Sequence, residues 1–297
     1  MIVITAPTGN IGRPLLDRLL ESAPETGEEL RVIVRDPARL ADAVRERVEV
    51  ITGSHGDPEV VDRAFTGADA VFWLVPPDSA RTPQDAYSGF SGPALRAFAA
   101  HGVGHVVGVS ALGRGTPLAD RAGLVTATLV LDDLIAETGV AYRALANPSF
   151  FENLLEEAGS IRDRGVFTDT VAADRRAPLV ATADIAAVAA GLLLDRSWTG
   201  AGSVPVLGPQ DLSPDDLARI MTEQFGRPVR YERRPLDEMR TALVGHGLDE
   251  AFVQGVVDMK RAKDQGLDAG VVRTPDTASP TGFAQWCART LKPAVLS

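Results

Sequence analysis

The chain has 297 residues, 45% apolar, 24% charged and only 5% aromatic, enough to bury a sizeable core in one large or two ordinary domains. With 40 acidic against 30 basic side chains, the formal charge of −10 argues against bulk nucleic-acid affinity through phosphate neutralisation. Cys287, the single cysteine, excludes an internal disulfide framework and any cysteine-rich metal site, and no stretch approaches the roughly 18 consecutive apolar residues of a membrane helix.

The start, Met1–Thr5, carries no basic leader segment and reads as a buried strand, so a cytoplasmic protein is expected. After it, Ile11, Leu15, Leu16, Leu19 and Leu20 recur at helical spacing, with Pro14 in the first turn, where a missing N–H costs little. Further strands are expected at Leu30–Val34, Val48–Ile51, Ala70–Val75, Val106–Val109 and Val140–Leu145. Asp36-Pro37 and Asp57-Pro58 are N-cap and N1 pairs, opening one helix through Leu40 and Val44 and another through Val61, Ala64 and Phe65. Longer helices are expected over about 83–100 and about 121–138. Strands this apolar need both faces covered, and their alternation with helices predicts an α/β fold, a doubly wound parallel sheet with right-handed crossovers.

Beyond Pro148 the pattern loosens. An apolar helix is expected over Ile185–Leu194, a strand over Ser203–Leu207, and helices over Leu217–Phe225, Leu236–Leu243, Leu248–Met259 and Gly282–Leu291. The expected organisation is a sheet domain over residues 1–150, to which 177–207 returns, and a smaller, mostly helical lobe over 151–297. That lobe would stand beside the C-terminal ends of the strands, where ligands of open α/β sheets bind.

The loop Thr5–Gly12 (Thr-Ala-Pro-Thr-Gly-Asn-Ile-Gly) lies between the first strand and the first helix. There, backbone N–H groups and the positive helix end can hold a pyrophosphate, so Thr8, Gly9, Asn10, Ile11 and Gly12 are expected against a dinucleotide. Ala6 stands at the first glycine position of the Gly-x-x-Gly-x-x-Gly spacing, so the fingerprint is incomplete. At the end of strand two a carboxylate would select NAD; this chain has Arg35, 23 positions after Gly12, with Arg39 one turn on. A guanidinium suits a 2′-phosphate, so NADP(H) is the expected cofactor.

The same loop, Val34–Leu40, Ala68–Leu74, Val109–Gly113, Pro148–Asn153 and Asp184–Ala186 together resemble the NmrA-like atypical short-chain dehydrogenases/reductases. Leu212–Ala218 and Phe225–Tyr231 extend the resemblance over nearly the whole chain. The resemblance implies a Rossmann fold and a function among NADPH-dependent, quinone oxidoreductase-like reductases or non-catalytic redox-sensing regulators. It also implies Ser54 near the adenine, Val75 and Pro76 along the cofactor after strand four, and Ser110 at the position that polarises a substrate carbonyl.

Departures from the wider superfamily bear on mechanism. No tyrosine lies between Tyr87 and Tyr142, and no lysine before Lys260, so the Tyr-x-x-x-Lys proton donor is missing from its expected place. Asp132 and Asp133 are expected to be solvated, Tyr142 to be half-buried packing, and Asn147 stands where the family usually has an arginine. The four histidines, His55, His101, His105 and His246, have no ligand spacing, so no metal site is expected. Hydride transfer to a quinone-like or conjugated carbonyl acceptor needs mainly that two rings be positioned, which this constellation allows. The expectation is an NADPH-dependent oxidoreductase acting on a small molecule in a pocket of Ser110, Phe150, Phe151 and Asn153. A non-catalytic NADP(H)-binding sensor acting through a protein partner is the alternative; a homodimer is possible, and neither nucleic acid nor membrane is expected as a partner.

Overall fold

The computed structural model describes residues 1–275 and 277–296. Strands β1 (Ile2–Thr5), β2 (Leu30–Val34), β3 (Glu49–Thr52), β4 (Ala70–Trp73), β5 (His105–Ala111), β6 (Ala141–Asn147) and β10 (Ala201–Pro205) form one parallel sheet in the order β3-β2-β1-β4-β5-β6-β10. The order reverses between β1 and β4, and this is where such sheets open a ligand crevice. Thr5 clips that edge: its hydroxyl donates to Phe72 O and accepts from Leu74 N, both at 2.9 Å.

Each central strand feeds both faces, which is why the strands read as unbroken apolar runs. Ile2, Ile4 and Phe72 pack beneath α1 (Gly12–Thr26) and α7 (Thr182–Leu194), against Leu15, Leu19, Ile185 and Leu193. Val3, Val71 and Trp73 pack on the other face under α3 (Pro58–Phe65), α4 (Phe90–Ala100) and α5 (Leu124–Glu137), against Phe65, Phe98 and Ile135. At about 1.5–3 kcal/mol for each fully buried large side chain, these two layers dominate the fold.

Local differences from the sequence reading have physical causes. Asp36 does cap the turn it opens, accepting from Ala38 N at 3.0 Å, but the helix stops at Arg39 because Leu40 turns inward to join the core. A separate short helix, α2 (Asp42–Arg45), follows. Ahead of α4, Asp85–Gly89 forms a π-helical turn that presents Tyr87.

The remaining chain is mostly helical: α6 (Ala158–Arg164), α8 (Pro214–Phe225), α9 (Leu236–Gly245), α10 (Glu250–Asp264), α11 (Phe283–Trp286) and α12 (Lys292–Leu296). It also carries two small sheets built from β7 (Ser149–Phe150), β8 (Val166–Asp169), β9 (Ala177–Val180), β11 (Asp211–Leu212) and β12 (Arg230–Arg233), pieces too short for a periodic signal. Two carboxylates bind this lobe to the start of α7. Glu152 accepts from Thr182 N at 3.1 Å and Trp286 Nε1 at 3.0 Å, while Asp184 accepts from Thr281 N and Oγ1. Among the described residues no helix is long and apolar enough to cross a membrane.

Candidate active site

The loop after β1 is built around one strained residue. Ala6 has φ 49°, the left-handed region that favours glycine, and its carbonyl accepts from Gly9 N at 3.1 Å. Gly12 is buried under this turn, where a Cβ would stand 2.1 Å from Ala6 O. Its role is to let α1 begin directly beneath the loop. Thr8, Gly9, Asn10 and Ile11 line a groove of 600 Å³ that crosses the strand ends. The first turn of α1 has no acidic side chain, so nothing there repels phosphate.

Arg35 and Arg39 stand exposed at the same groove. The adjacent carboxylate that could select NAD, Asp36, is occupied as the cap of the following turn. Pro76 lines the groove, whereas Val75 faces the neighbouring cavity. Ser54 does not line the groove: its hydroxyl accepts from Gly56 N at 3.2 Å, and Gly53 and His55 on either side face the groove instead. His55 lies edge-on to Trp73 and Phe90, with Nε2 2.9 Å from Leu74 O. Burial pushes its pKa down to about 4 despite that hydrogen bond, with the Arg35 charge adding to the fall, so the ring is neutral near neutral pH and donates to Leu74 O.

A second cavity, of 320 Å³, opens beyond the groove at the ends of β5 and β6. Ile11, Leu74 and Phe150 line both spaces, so a dinucleotide along the groove would reach the cavity mouth. Ser110, Phe150 and Asn153 line it. Phe151 does not; it is 2% exposed and packs on Phe283 and Trp286 in the lobe core, touching only an adjoining cavity of 340 Å³. Adjacent residues at the end of β7 diverge, so only one of the two phenylalanines faces the cofactor side.

The polar wall differs most from the sequence reading. Asp132, expected in solvent, is 5% exposed and lines the cavity. Its Oδ2 accepts from Ser110 Oγ at 2.5 Å and its Oδ1 from the Tyr142 hydroxyl at 2.6 Å. Tyr142 is therefore fully buried with its hydroxyl engaged. Asp133, one residue on, is exposed and pairs with Arg114 at 2.8 Å. Burial raises the pKa of Asp132, against the Ser110 and Tyr142 hydrogen bonds and the Arg114 charge; burial likewise raises that of Tyr142, beside Asp132.

Asn147 donates from Nδ2 to Ser110 O and Leu145 O, which fixes its amide orientation and leaves the buried Oδ1 without a protein partner at the cavity. Two lysines absent from the expected spacing arrive from α10: Lys260 and Lys263 line the cavity with Met259. Each has a carboxylate partner, Asp169 at 2.7 Å and Asp268 at 2.5 Å. Helical phase carried the signal for Asp132, since Val125, Thr128, Asp132 and Ile135 fall on one stripe. No local pattern announces the lysines.

Residues 7–196 match the NAD(P)H-binding family. The chain is similar to (4-alkanoyl-5-oxo-2,5-dihydrofuran-3-yl)methyl phosphate reductase of Streptomyces griseus, 31% identical over 296 residues and covering 97% of each protein. It is 26% identical to Quinone oxidoreductase 2 of Escherichia coli, over 91% of this chain and 89% of that one. Among solved structures, the Citrobacter sp. triphenylmethane reductase complexed with NADP(H) superposes with a TM-score of 0.77 at 20% identity, over 99% of this chain and 100% of that one. That last likeness speaks for the fold, and the first two for the family. An incomplete glycine loop at the first strand-to-helix turn, a groove at the sheet's switch point and a match over most of the chain agree: this protein belongs to the NAD(P)H-binding, NmrA-like family of atypical short-chain dehydrogenases/reductases.

Proposed function

We propose that the chain is an NADPH-dependent reductase that delivers hydride to a conjugated carbonyl or quinone-like small molecule. One observation carries this reading: the cofactor groove and the mainly apolar cavity meet at Ile11, Leu74 and Phe150. NADPH supplies the hydride, and the protein must hold an acceptor against it with water excluded. Leu74, Val109, Leu124 and Phe150 supply the apolar walls, and Ser110 can donate to an acceptor oxygen when a protonated Asp132 donates to Ser110 Oγ and frees its hydrogen. Asn147 Oδ1 offers an acceptor to any N–H or O–H the bound molecules carry. Arg35 and Arg39 favour the 2′-phosphate of NADPH over the hydroxyl of NADH.

The named relatives fit. The Streptomyces reductase is named for a substrate that contains a ring double bond conjugated with carbonyl groups, and the Escherichia coli relative is named for quinones. Steady-state loss of nicotinamide absorbance with a panel of quinones, enones and simple ketones tests the reading. Turnover with the first two classes supports it. Absence of turnover with every class, with NADP⁺ and NADPH bound equally well, would point to a cofactor sensor.

A further inference from the structure

We propose that Asp132 and Ser110 form a proton relay that protonates the reduced acceptor, with Ser110 the group that touches it and Tyr142 holding Asp132 in place. The proposal rests on the reductase reading above and adds the component that reading lacks, a source for the proton.

A buried carboxylate with no full ion pair is costly unless its environment serves it. Asp132 sits in the middle of α5, and both its oxygens accept from hydroxyls, with only a long ion pair to a cation. Arg114 is the nearest positive group, 3.6 Å away, but it is half-exposed and lies closer to Asp133 and to Leu129 O. The remaining charged groups facing the cavity, Lys260 and Lys263 on α10, are paired with Asp169 and Asp268. The packing makes room for the cluster at a cost to β5. Gly108 lies inside that strand, where glycine weakens pairing, and a Cβ there would stand 2.4 Å from the Tyr142 hydroxyl.

The protonated and ionised forms of Asp132 use the same contacts differently. When ionised, Asp132 accepts from both hydroxyls. When protonated, its Oδ2–H donates to Ser110 Oγ, and the serine's own hydrogen turns free toward the cavity. Tyr142 donates to Oδ1 in both forms. It is a positioning residue, because burial and the neighbouring carboxylate hold its own proton firmly.

The β-carbon of an enone gains hydride, its double-bond pair shifts to join the α-carbon and the carbonyl carbon, and the carbonyl π pair moves to oxygen, giving an enolate. That oxygen takes the Ser110 proton, Ser110 takes the Asp132 proton, and the carboxylate is reprotonated from water. The resulting enol then tautomerises, gaining a solvent proton at the α-carbon and losing the one on oxygen. A quinone makes a weaker demand, because its hydroquinone anion persists until water protonates it. The relay thus serves enones and simple carbonyls more than quinones.

The test uses the full-length protein. In the cofactor-free state, carboxyl ¹³C resonances of labelled aspartate are titrated; the one missing from Asp132→Asn should have its midpoint above the ordinary value of about 3.9. With NADPH and an enone, Asp132→Asn and Ser110→Ala should each lower kcat about 10²-fold or more with KM little changed. Quinone turnover should fall only about a few-fold. Wild-type enone turnover should decline as pH rises through the measured midpoint, a limb absent from Asp132→Asn. Should Asp132→Asn not fold, Tyr142→Phe keeps the ring packing and removes one donor to the carboxylate, so the limb should move to higher pH. Wild-type kcat and an unchanged pH profile in these variants, or an ordinary Asp132 midpoint, would overturn the relay while leaving the reductase reading intact. A wild-type protein inert to every acceptor would remove both.

Discussion

Gly123 and Gly255 meet so closely that a Cβ on Gly123 would stand 1.9 Å from Gly255 O. Gly123 also has φ 56°, and a Cβ on Gly255 would press on Pro83 and Leu124. This contact seats α10 against the start of α5, bringing Met259, Lys260 and Lys263 over the 320 Å³ cavity. Gly123→Ala meets both a left-handed backbone and a backbone clash, and should lower stability by about 2–4 kcal/mol. Gly255→Val, milder, should raise KM for the acceptor while NADPH affinity, read by nicotinamide fluorescence, stays near wild type. Loss of NADPH affinity in proportion would show that α10 supports the groove as well.

A Cβ at position 12 collides with Ala6 O, the oxygen that fixes Gly9 N. Gly12→Val should therefore distort the phosphate loop and weaken NADPH binding at least about tenfold, or about 1.4 kcal/mol, in a protein that remains folded by circular dichroism. Unchanged affinity would remove the loop from cofactor binding.

Arg35 faces the groove at the position where a carboxylate would select NAD. Arg35→Asp should cost on the order of 2–4 kcal/mol of NADPH binding and much less of NADH binding, by titration calorimetry. Equal losses for both cofactors would mean that Arg35 does not read the 2′-phosphate.

These sites were unequally legible in the sequence. Strands β1, β2, β4, β5 and β6 announce themselves because both faces are covered, so hydrophobicity alone marks them. The phosphate loop and Arg35 follow from their place after β1 and β2. Asp132 looks solvated in the sequence because two adjacent aspartates are alike until helical phase assigns one to the stripe of Val125, Thr128 and Ile135. Gly108 was a visible anomaly inside a strand, but the side chain that needs its space, Tyr142, comes from a different strand. Lys260 and Lys263 lie more than a hundred residues from Ser110, and only the α10–α5 contact brings them near.

His55 gives a stability signature. Its ordinary value is 6.5 and burial lowers it to about 4, so the folded state resists protonation that the unfolded chain accepts. The contribution is complete above pH 6.5 and is lost as pH falls toward 4, amounting to about 3 kcal/mol. Urea unfolding of wild type and His55→Gln across this range should show the wild type losing more stability by about that amount. Parallel pH dependence in the two proteins would contradict the burial argument.

Hydride delivery to carbon is the central claim, and isotope tracing measures it directly. NADPH deuterated on the transferable face of nicotinamide C4 is turned over with an enone in ordinary water, and the product is examined by NMR. The account predicts one deuterium at the β-carbon and a solvent hydrogen at the α-carbon. A product without deuterium at the β-carbon, or cofactor oxidation without product, would contradict it.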